Sequence, residues 1–236
     1  IRGRYNFMNL SRYGHYCEQS YRNNFSREFD FGAFNTELIK QHCSAHLVIA
    51  FDPSYIPKSG KHTAELGYFW SGVSGKALKG LEIGGIAAID VDNNTAMNLE
   101  AIQTPSPKTL KSQGKTLIDH YGEILVSRQS TLKELSSTLV VDGYFAKKGF
   151  IDTITQQTGM QVVSKLRKDA DLKYLYNGPR ENRKGAPRKF DGKVDIQSPD
   201  KRCLPLQYED ENTKIYSGIV WSTRLKRKRK LAYVEF

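Results

Sequence analysis

Two apolar runs, each followed by an aspartate, constrain the fold of this chain most strongly. Residues 46–51 have the sequence His-Leu-Val-Ile-Ala-Phe and precede Asp52, whereas residues 138–141 are Thr-Leu-Val-Val and precede Asp142. A short apolar run that ends at a turn residue predicts a buried strand. If the two strands lie side by side, their ends meet at one edge of a sheet. In an α/β protein of this kind, Asp52 and Asp142 can converge at one edge of the sheet.

The remaining periodic segments predict further helices and strands around these two runs. The strands between the aspartates are expected to form an antiparallel meander, since turn residues separate them. From periodicity and turn chemistry, we predict helices over 34–42, 107–127 and 146–158, and strands over 66–73, 79–91, 95–103, 160–166, 214–221 and 231–236.

The charge balance favours a polyanionic partner. The chain carries 36 Lys+Arg against 25 Asp+Glu, a formal net charge of +11 at pH 7. Nucleic acid is the usual partner of such a chain, and an anionic membrane surface is the alternative. The sequence has no apolar stretch long enough to span a bilayer, which weakens the membrane alternative. Three scattered cysteines without zinc-ligand spacing fit a reducing cytoplasm.

Converging carboxylates suit a hard divalent cation. Carboxylate oxygens are ligands of Mg²⁺ and Mn²⁺, and two such ions about 4 Å apart would activate a water or 3′-hydroxyl against a phosphodiester. The alternative is that each aspartate forms a strand-end turn or a helix cap, which is a common use of Asp. For Asp52 or Asp142 taken alone, composition and spacing favour the turn or cap.

Several segments resemble transposases of bacterial insertion sequences, the broad DDE group with an RNase H-like fold. The resemblance extends over roughly residues 46–236. The matching segments are Ala50-Phe-Asp-Pro-Ser-Tyr-Ile-Pro-Lys-Ser-Gly-Lys-His-Thr63, Phe69-Trp-Ser-Gly72, Lys79-Gly-Leu-Glu-Ile83, Val140-Val-Asp-Gly-Tyr-Phe145 and Val163-Ser-Lys-Leu-Arg-Lys-Asp-Ala-Asp-Leu172. The resemblance implies an α/β, RNase H-like mixed sheet flanked by helices, with a β-rich insertion subdomain.

The resemblance also implies roles for the two aspartates. Asp52 would be the first and Asp142 the second catalytic acid, and both would be ligands of two Mg²⁺ or Mn²⁺ ions. The family's third acid is a Glu on a helix after the insertion, in a Tyr-x-x-Arg-x-x-x-Glu type of pattern. No such pattern occurs here, so we expect this Glu after Phe236 and expect the chain to be inactive alone.

The expected domain organisation follows the change of composition near residue 167, after which the chain is strongly basic and richer in Gly and Pro. We predict a lead-in segment over 1–46, the first part of the catalytic core over 47–166, a basic β-rich insertion over 167–230, and the start of a returning core strand over 231–236.

Basic residues near the aspartates and in the insertion are candidate contacts to the DNA backbone. A solvated basic loop is the alternative for each of them. We further expect Trp70 and Trp221 to lie in the core, and Asp90 and Asp92 to be turn residues. The candidate DNA-binding residues are Lys58, Lys61, Arg167, Lys168, Arg180, Arg183, Lys184, Arg188 and Lys189.

The function predicted from these features is metal-dependent cleavage and strand transfer in DNA transposition. Double-stranded DNA, as element ends and target, is the expected partner, and we expect a homodimer in the active complex. The expected location is the bacterial cytoplasm, in association with the nucleoid. Two alternatives remain open: an RNase H-like DNA nuclease without strand transfer, and a non-catalytic DNA-binding remnant of a transposase.

Overall fold

The computed structural model describes residues 3, 6–60, 62–167, 169–180 and 184–236. Its helices are α1 (Phe7–Tyr13), α2 (Glu18–Phe25), α3 (Phe31–His42), α4 (Pro107–Ser112), α5 (Leu117–Ser127), α6 (Gln129–Leu135) and α7 (Lys148–Thr158), with a 3₁₀ turn over Gly143–Phe145. Its strands are β1 (Leu47–Pro57), β2 (Gly67–Ser71), β3 (Lys76–Asp90), β4 (Thr95–Gln103), β5 (Thr138–Val141), β6 (Gln161–Ser164), β7 (Leu172–Leu175), β8 (Phe190–Lys193), β9 (Leu206–Glu209), β10 (Lys214–Ser222) and β11 (Arg227–Glu235).

The first sheet is mixed and has β1 at its centre. On one side β1 pairs antiparallel with β3, whose far edge pairs with both β2 and β4. On the other side β1 pairs parallel with β5, which pairs parallel with β6. The predicted α/β class, a mixed sheet flanked by helices, is confirmed. β2 and β4 each pair antiparallel with β3, but they share one edge of it, so the three strands are not the predicted meander.

One face of the first sheet forms the main core. Residues alternate between the two faces of a strand, so Ile49 and Phe51 of β1 point to the same side. Both are buried in one apolar cluster with Ile86, Tyr121 and Phe145. Tyr121 lies on α5 and Phe145 on the 3₁₀ turn, and their rings lie 5.4 Å and 5.6 Å from that of Phe51.

The opposite face of the first sheet is less covered. Among its apolar residues, Val48, Ala50 and Val140 are only half-buried, and Val163 is 52% exposed. None of these four residues belongs to the main core cluster. Asp52 has the same parity as Ala50 and therefore lies on this open face.

The helix predicted over 107–127 is two helices. Gly114 adopts a positive φ of 66° after α4, a conformation that favours glycine. Thr116 then caps α5 with Asp119, each side chain bonded to the other's backbone. The sequence contains both features, so the break has a local cause.

The second sheet contains β7 to β11. Its strand order is β11-β10-β7-β8, and β9 also pairs with β10. Its buried face holds a separate cluster that includes Leu172, Leu204 and Val220. Residues 231–236 were expected to return to the core sheet, but β11 pairs antiparallel with β10 from Ser222↔Arg227 to Lys214↔Glu235. A tight turn causes this hairpin, with Lys226 at a φ of 52°.

The tip of the β10–β11 hairpin contacts the first core. Leu225 is buried in the main apolar cluster, and the guanidinium of Arg227 donates to the carboxylate of Asp152 on α7. Within the described ranges, no helix combines the length and hydropathy needed to cross a bilayer.

Candidate active site

The parallel pairing of β1 and β5 brings the two predicted acids to neighbouring positions. Ile49 pairs with Leu139 and Ala50 with Val140. Asp52 and Asp142 are separated by the same number of residues as these pairs, so the register places them next to each other. Asp142 directly follows β5, as predicted. Asp52 lies inside β1 rather than at its end, because the pairing with β3 continues as far as Pro57.

Both carboxylates reach the surface, yet they influence each other electrostatically. Asp52 and Asp142 are both exposed to solvent. Nonetheless, partial burial raises the pKa of the Asp52 carboxyl, and the nearby negative charge of Asp142 raises that pKa further. Asp142 is thus close enough to disfavour the ionised form of Asp52. The structure therefore brings together the two residues that the sequence singled out.

Asp142 also has the capping role that was the alternative interpretation. Its Oδ1 atom accepts a 2.8 Å hydrogen bond from the backbone N–H of Tyr144, at the start of the 3₁₀ turn. This bond fixes the orientation of the carboxylate. A carboxylate has about four lone-pair sites on its two oxygens, so one cap bond leaves it able to accept a further ligand.

Gly143 allows the segment after β6 to approach the second acid. A Cβ atom at this position would lie 3.0 Å from the carbonyl oxygen of Lys165 and 3.1 Å from Cγ of Arg167. Arg167 therefore packs against the residue that follows Asp142. Its Nε donates a 3.0 Å bond to Asp169, and about half of its side chain is exposed.

A second basic side chain near the acids, that of Lys147, was not predicted. The ammonium of Lys147 lies 3.9 Å from the centre of the Tyr144 ring. Burial lowers the pKa of Lys147, and the charge of Arg167 lowers that pKa further. Lys147 and Arg167 therefore put positive charge beside the loop that holds Asp142. The position of Lys147 soon after the Asp-Gly-Tyr-Phe segment was the available sequence signal.

A buried acid, Glu82, lies behind the site and was also missed. Its carboxylate accepts a hydrogen bond from the hydroxyl of Tyr121, and only 6% of the residue is exposed. Burial raises the pKa of Tyr144, and the charges of Glu82 and Asp142 raise it further. Because Glu82 pairs with Tyr55, strand alternation puts it on the face opposite Asp52. In the predicted strand 79–91, Glu82 lies on the same face as Ile86, and this spacing was the sequence signal that its side chain is buried.

The donor set fits a divalent cation on the open face. Two exposed carboxylates on adjacent strands supply hard oxygen ligands, and a bound cation would relieve the repulsion between them. Within the part of the chain that the structure describes, no group of three or more His, Cys, Asp or Glu residues forms a metal cluster. The candidate site accordingly consists of the Asp52–Asp142 pair.

The predicted DNA-binding residues fall into separate places. Arg167 lies beside Asp142, as described, and Lys58 lies in the exposed segment after β1. Arg180, Lys184 and Arg188 line one cavity of about 580 Å³ with Tyr176. Among the described contacts, none joins this cavity to the aspartates. Lys189 is exposed next to it, whereas Lys61, Lys168 and Arg183 lie outside the described residues.

Arg188 has local partners in this cavity. Its guanidinium lies 4.7 Å from the centre of the Tyr176 ring and also pairs with the carboxylate of Asp191. The structure thus groups part of the predicted basic set.

Comparisons with known proteins do not identify a family. No family model and no curated protein matches the chain. Among solved structures, a member of the Ppx/GppA protein family from Aquifex aeolicus matches with a TM-score of 0.24 and 9% identity, over 80% of this chain and 51% of that one. This chain therefore spans about half the length of that structure. A TM-score this low carries no argument about fold or function.

Proposed function

We propose that this chain is the catalytic core of a DDE-type DNA transposase with an RNase H-like fold. Its reaction would be metal-dependent cleavage of a phosphodiester and strand transfer to target DNA. The observation that carries the proposal is the pairing of β1 with β5, which puts Asp52 and Asp142 side by side on an open face.

The order of elements along the chain supports the proposal. A strand with the first acid is followed by three antiparallel strands, by helices and by a strand with the second acid, which is the order of elements that the resemblance implies. Gly143 permits the close approach of residues 165–167 to this second acid. The second sheet then occupies the position in the chain that the resemblance gives to a β-rich insertion.

The chain's own residues would organise the site. Asp52 and Asp142 would hold Mg²⁺ or Mn²⁺, which when bound activates a water or 3′-hydroxyl and stabilises the leaving oxygen. The N–H of Tyr144 orients Asp142 for this purpose. Lys147 and Arg167 supply positive charge near a DNA strand that approaches the acids.

Further parts of the proposal come from the resemblance alone. A Glu as third acid would complete the acid set, and a homodimer would act on paired element ends. The reaction would take place on the bacterial nucleoid. These parts are separate from the Asp52–Asp142 geometry and need their own tests.

Metal binding tests the site directly. Titration of the chain with Mn²⁺, followed by the electron paramagnetic resonance of the free ion, is expected to show binding that weakens at least about tenfold in Asp52→Asn and Asp142→Asn. Glu211→Gln, which removes one exposed acid elsewhere, is the matched control and should bind like the parent chain. Equal affinity in all four proteins would refute the metal site.

Strand transfer tests the reaction. The full-length protein is incubated with element-end DNA, target DNA and Mn²⁺. Cleavage and joined products, both lost in Asp52→Asn, are expected. Cleavage without joining would favour the nuclease instead, and DNA binding without either product would favour a non-catalytic remnant.

A further inference from the structure

The outer face of the second sheet carries four lysines around two aromatic rings. Alternation along β10 and β11 places Trp221 and Lys228 on the face opposite the buried Val220. Trp221 also pairs with Lys173 of β7, and Lys173 pairs with Lys193 of β8. We call this surface the lysine face; its residues are Lys173, Lys193, Lys228, Lys230, Phe190, Ile219 and Trp221.

The lysine face is open to water. Lys193, Lys228 and Lys230 are exposed, Lys173 is half-buried, and Ile219 is 51% exposed. In the part of the chain that the structure describes, no acidic side chain forms an ion pair with any of these four lysines. Their charges therefore act together on anything that approaches the sheet.

This arrangement does not favour folding. Lys173 and Lys193 lie directly opposite each other, and like charges in such a cross-strand pair are destabilising. An acidic residue at one of these positions would remove the repulsion. The uncompensated charge is better explained by a polyanion that binds across the strands.

Two aromatic rings lie among the lysines of this face. The rings of Phe190 and Trp221 lie 5.7 Å apart at an angle of 46°, and the ammonium of Lys173 lies 5.3 Å from the centre of the Phe190 ring. The rings are thus engaged with each other and with a lysine. The Phe190 ring thereby helps to position Lys173, and both rings already have partners, so they are not free platforms for unstacked bases.

We propose that the lysine face binds the phosphate backbone of duplex DNA. Charge complementarity carries this choice, because four lysines on one face of a sheet, without an ion-pair partner among the described residues, match an array of phosphates. Such contacts would position DNA without reading its sequence. The inference concerns a surface apart from the acid pair and does not rest on the proposed chemistry.

The test is the salt dependence of binding to a labelled duplex of arbitrary sequence, measured by fluorescence anisotropy without divalent metal. Lys228→Ala combined with Lys230→Ala is expected to weaken binding at least about tenfold and to reduce the slope of log K against log salt by about 2. Lys228→Arg with Lys230→Arg should retain the slope. Lys108→Ala with Lys111→Ala removes the same charge from exposed positions of α4 and should leave the slope unchanged.

Several results would overturn the proposal. Equal loss in the α4 control would mean that only net charge matters. Preference for a single strand or for anionic vesicles over the duplex, lost in the β11 variant, would assign the face to a different partner. Mn²⁺ binding by the double variant Lys228→Ala, Lys230→Ala distinguishes this proposal from the proposal for the acid pair. We expect this variant to lose DNA binding and to retain Mn²⁺ binding.

Discussion

At the scale of single residues, Asp52 and Asp142 are held in an arrangement that costs stability. Two like charges lie close together on a partly covered surface, and the pKa of Asp52 is raised as a result. A raised carboxyl pKa means that the folded state retains its proton more readily than the unfolded state. Stability therefore falls as pH rises through the folded pKa, and the full penalty is present at neutral pH.

Asp52→Asn is accordingly expected to stabilise the metal-free protein at neutral pH. Screening by water keeps the gain below about 1 kcal/mol, since the side chain is exposed. Thermal unfolding at neutral pH and at a pH below the ordinary carboxyl range measures the effect, which should vanish in the acidic sample. A loss of stability at neutral pH would instead assign Asp52 a purely structural role.

Asp142→Asn provides a second check on the same pair. It removes the negative charge that contributes to the raised pKa of Asp52, so this pKa should move down towards its ordinary value. Burial, the larger cause, remains, and the pKa should stay above that value. Carboxyl ¹³C NMR titration of Asp52 measures the shift. An unchanged titration curve would contradict the proximity of the two acids.

Asp90 is expected to show the opposite dependence on pH. It accepts hydrogen bonds from the backbone N–H and the side chain of both Ser44 and Asn93, and these bonds hold its pKa well below the ordinary range. Its stabilisation is present above the ordinary carboxyl pKa and is lost as pH falls through the folded pKa. Asp90→Asn should lower the thermal midpoint at neutral pH, by less below about pH 4. Asp92→Asn, an exposed neighbour, should have little effect, and an equal loss there would contradict the prediction.

The sequence identified residues whose roles follow from local patterns, and it missed residues whose positions depend on the pairing of distant strands. Asp52 and Asp142 follow apolar runs. Asp90, predicted to be a turn residue, is the last residue of β3, and its carboxylate accepts hydrogen bonds from Asn93 in the turn that follows. The predicted burial of Trp70 is wrong, since it is 64% exposed on β2. The side of the sheet on which Trp70 lies depends on how β2 pairs with β3, and no local sequence pattern specifies that pairing.

At the scale of elements, Gly143 lets the segment after β6 pack close to the second acid. Gly143→Ala would push a methyl group against the carbonyl of Lys165 and the stem of Arg167. A loss of roughly 1–3 kcal/mol is expected from this overpacking, together with weaker Mn²⁺ binding if Asp142 moves.

Gly149→Ala on α7 is the matched control for this prediction. A Cβ atom at Gly149 meets nothing within 4 Å, and alanine favours a helix over glycine by up to about 1 kcal/mol. Urea unfolding should therefore show a loss in the first variant and no loss in the second. Equal stability of the two proteins would mean that the 165–167 segment adapts freely.

The elements themselves were largely predictable, and their partners less so. Helix α7 and strands β5 and β6 lie close to the predicted ranges, because apolar periodicity marks them. The final strand was expected to join the core sheet, yet β11 completes a hairpin with β10. Periodicity identifies a strand but carries no information about the sheet that it joins.

At the scale of the whole molecule, few contacts among the described residues tie the second sheet to the first core. Leu225 at the hairpin tip is one of them and is 9% exposed in the main cluster. Leu225→Ala should cost about 2–5 kcal/mol at this contact. Because the second sheet has its own cluster, calorimetry is expected to show two unfolding transitions in place of one.

Leu206→Ala is the control for this change, because Leu206 is 45% exposed on β9. It should leave the transition intact. A single, equally lowered transition in Leu225→Ala would show that the two sheets unfold together through other contacts.

The parallel register between β1 and β5 also limits how the gene can change in length. The residues between the two strands connect them through loops, antiparallel strands and helices, so an insertion in an exposed turn leaves both strands in place. A single inserted residue in β1 between Ala50 and Asp52 is different, since side chains alternate between faces and a shift of one reverses them. Such an insertion would point the side chain of Asp52 towards the apolar core. Reading frames related to this one should therefore vary in length between the two acids while keeping the few residues before each acid free of insertions.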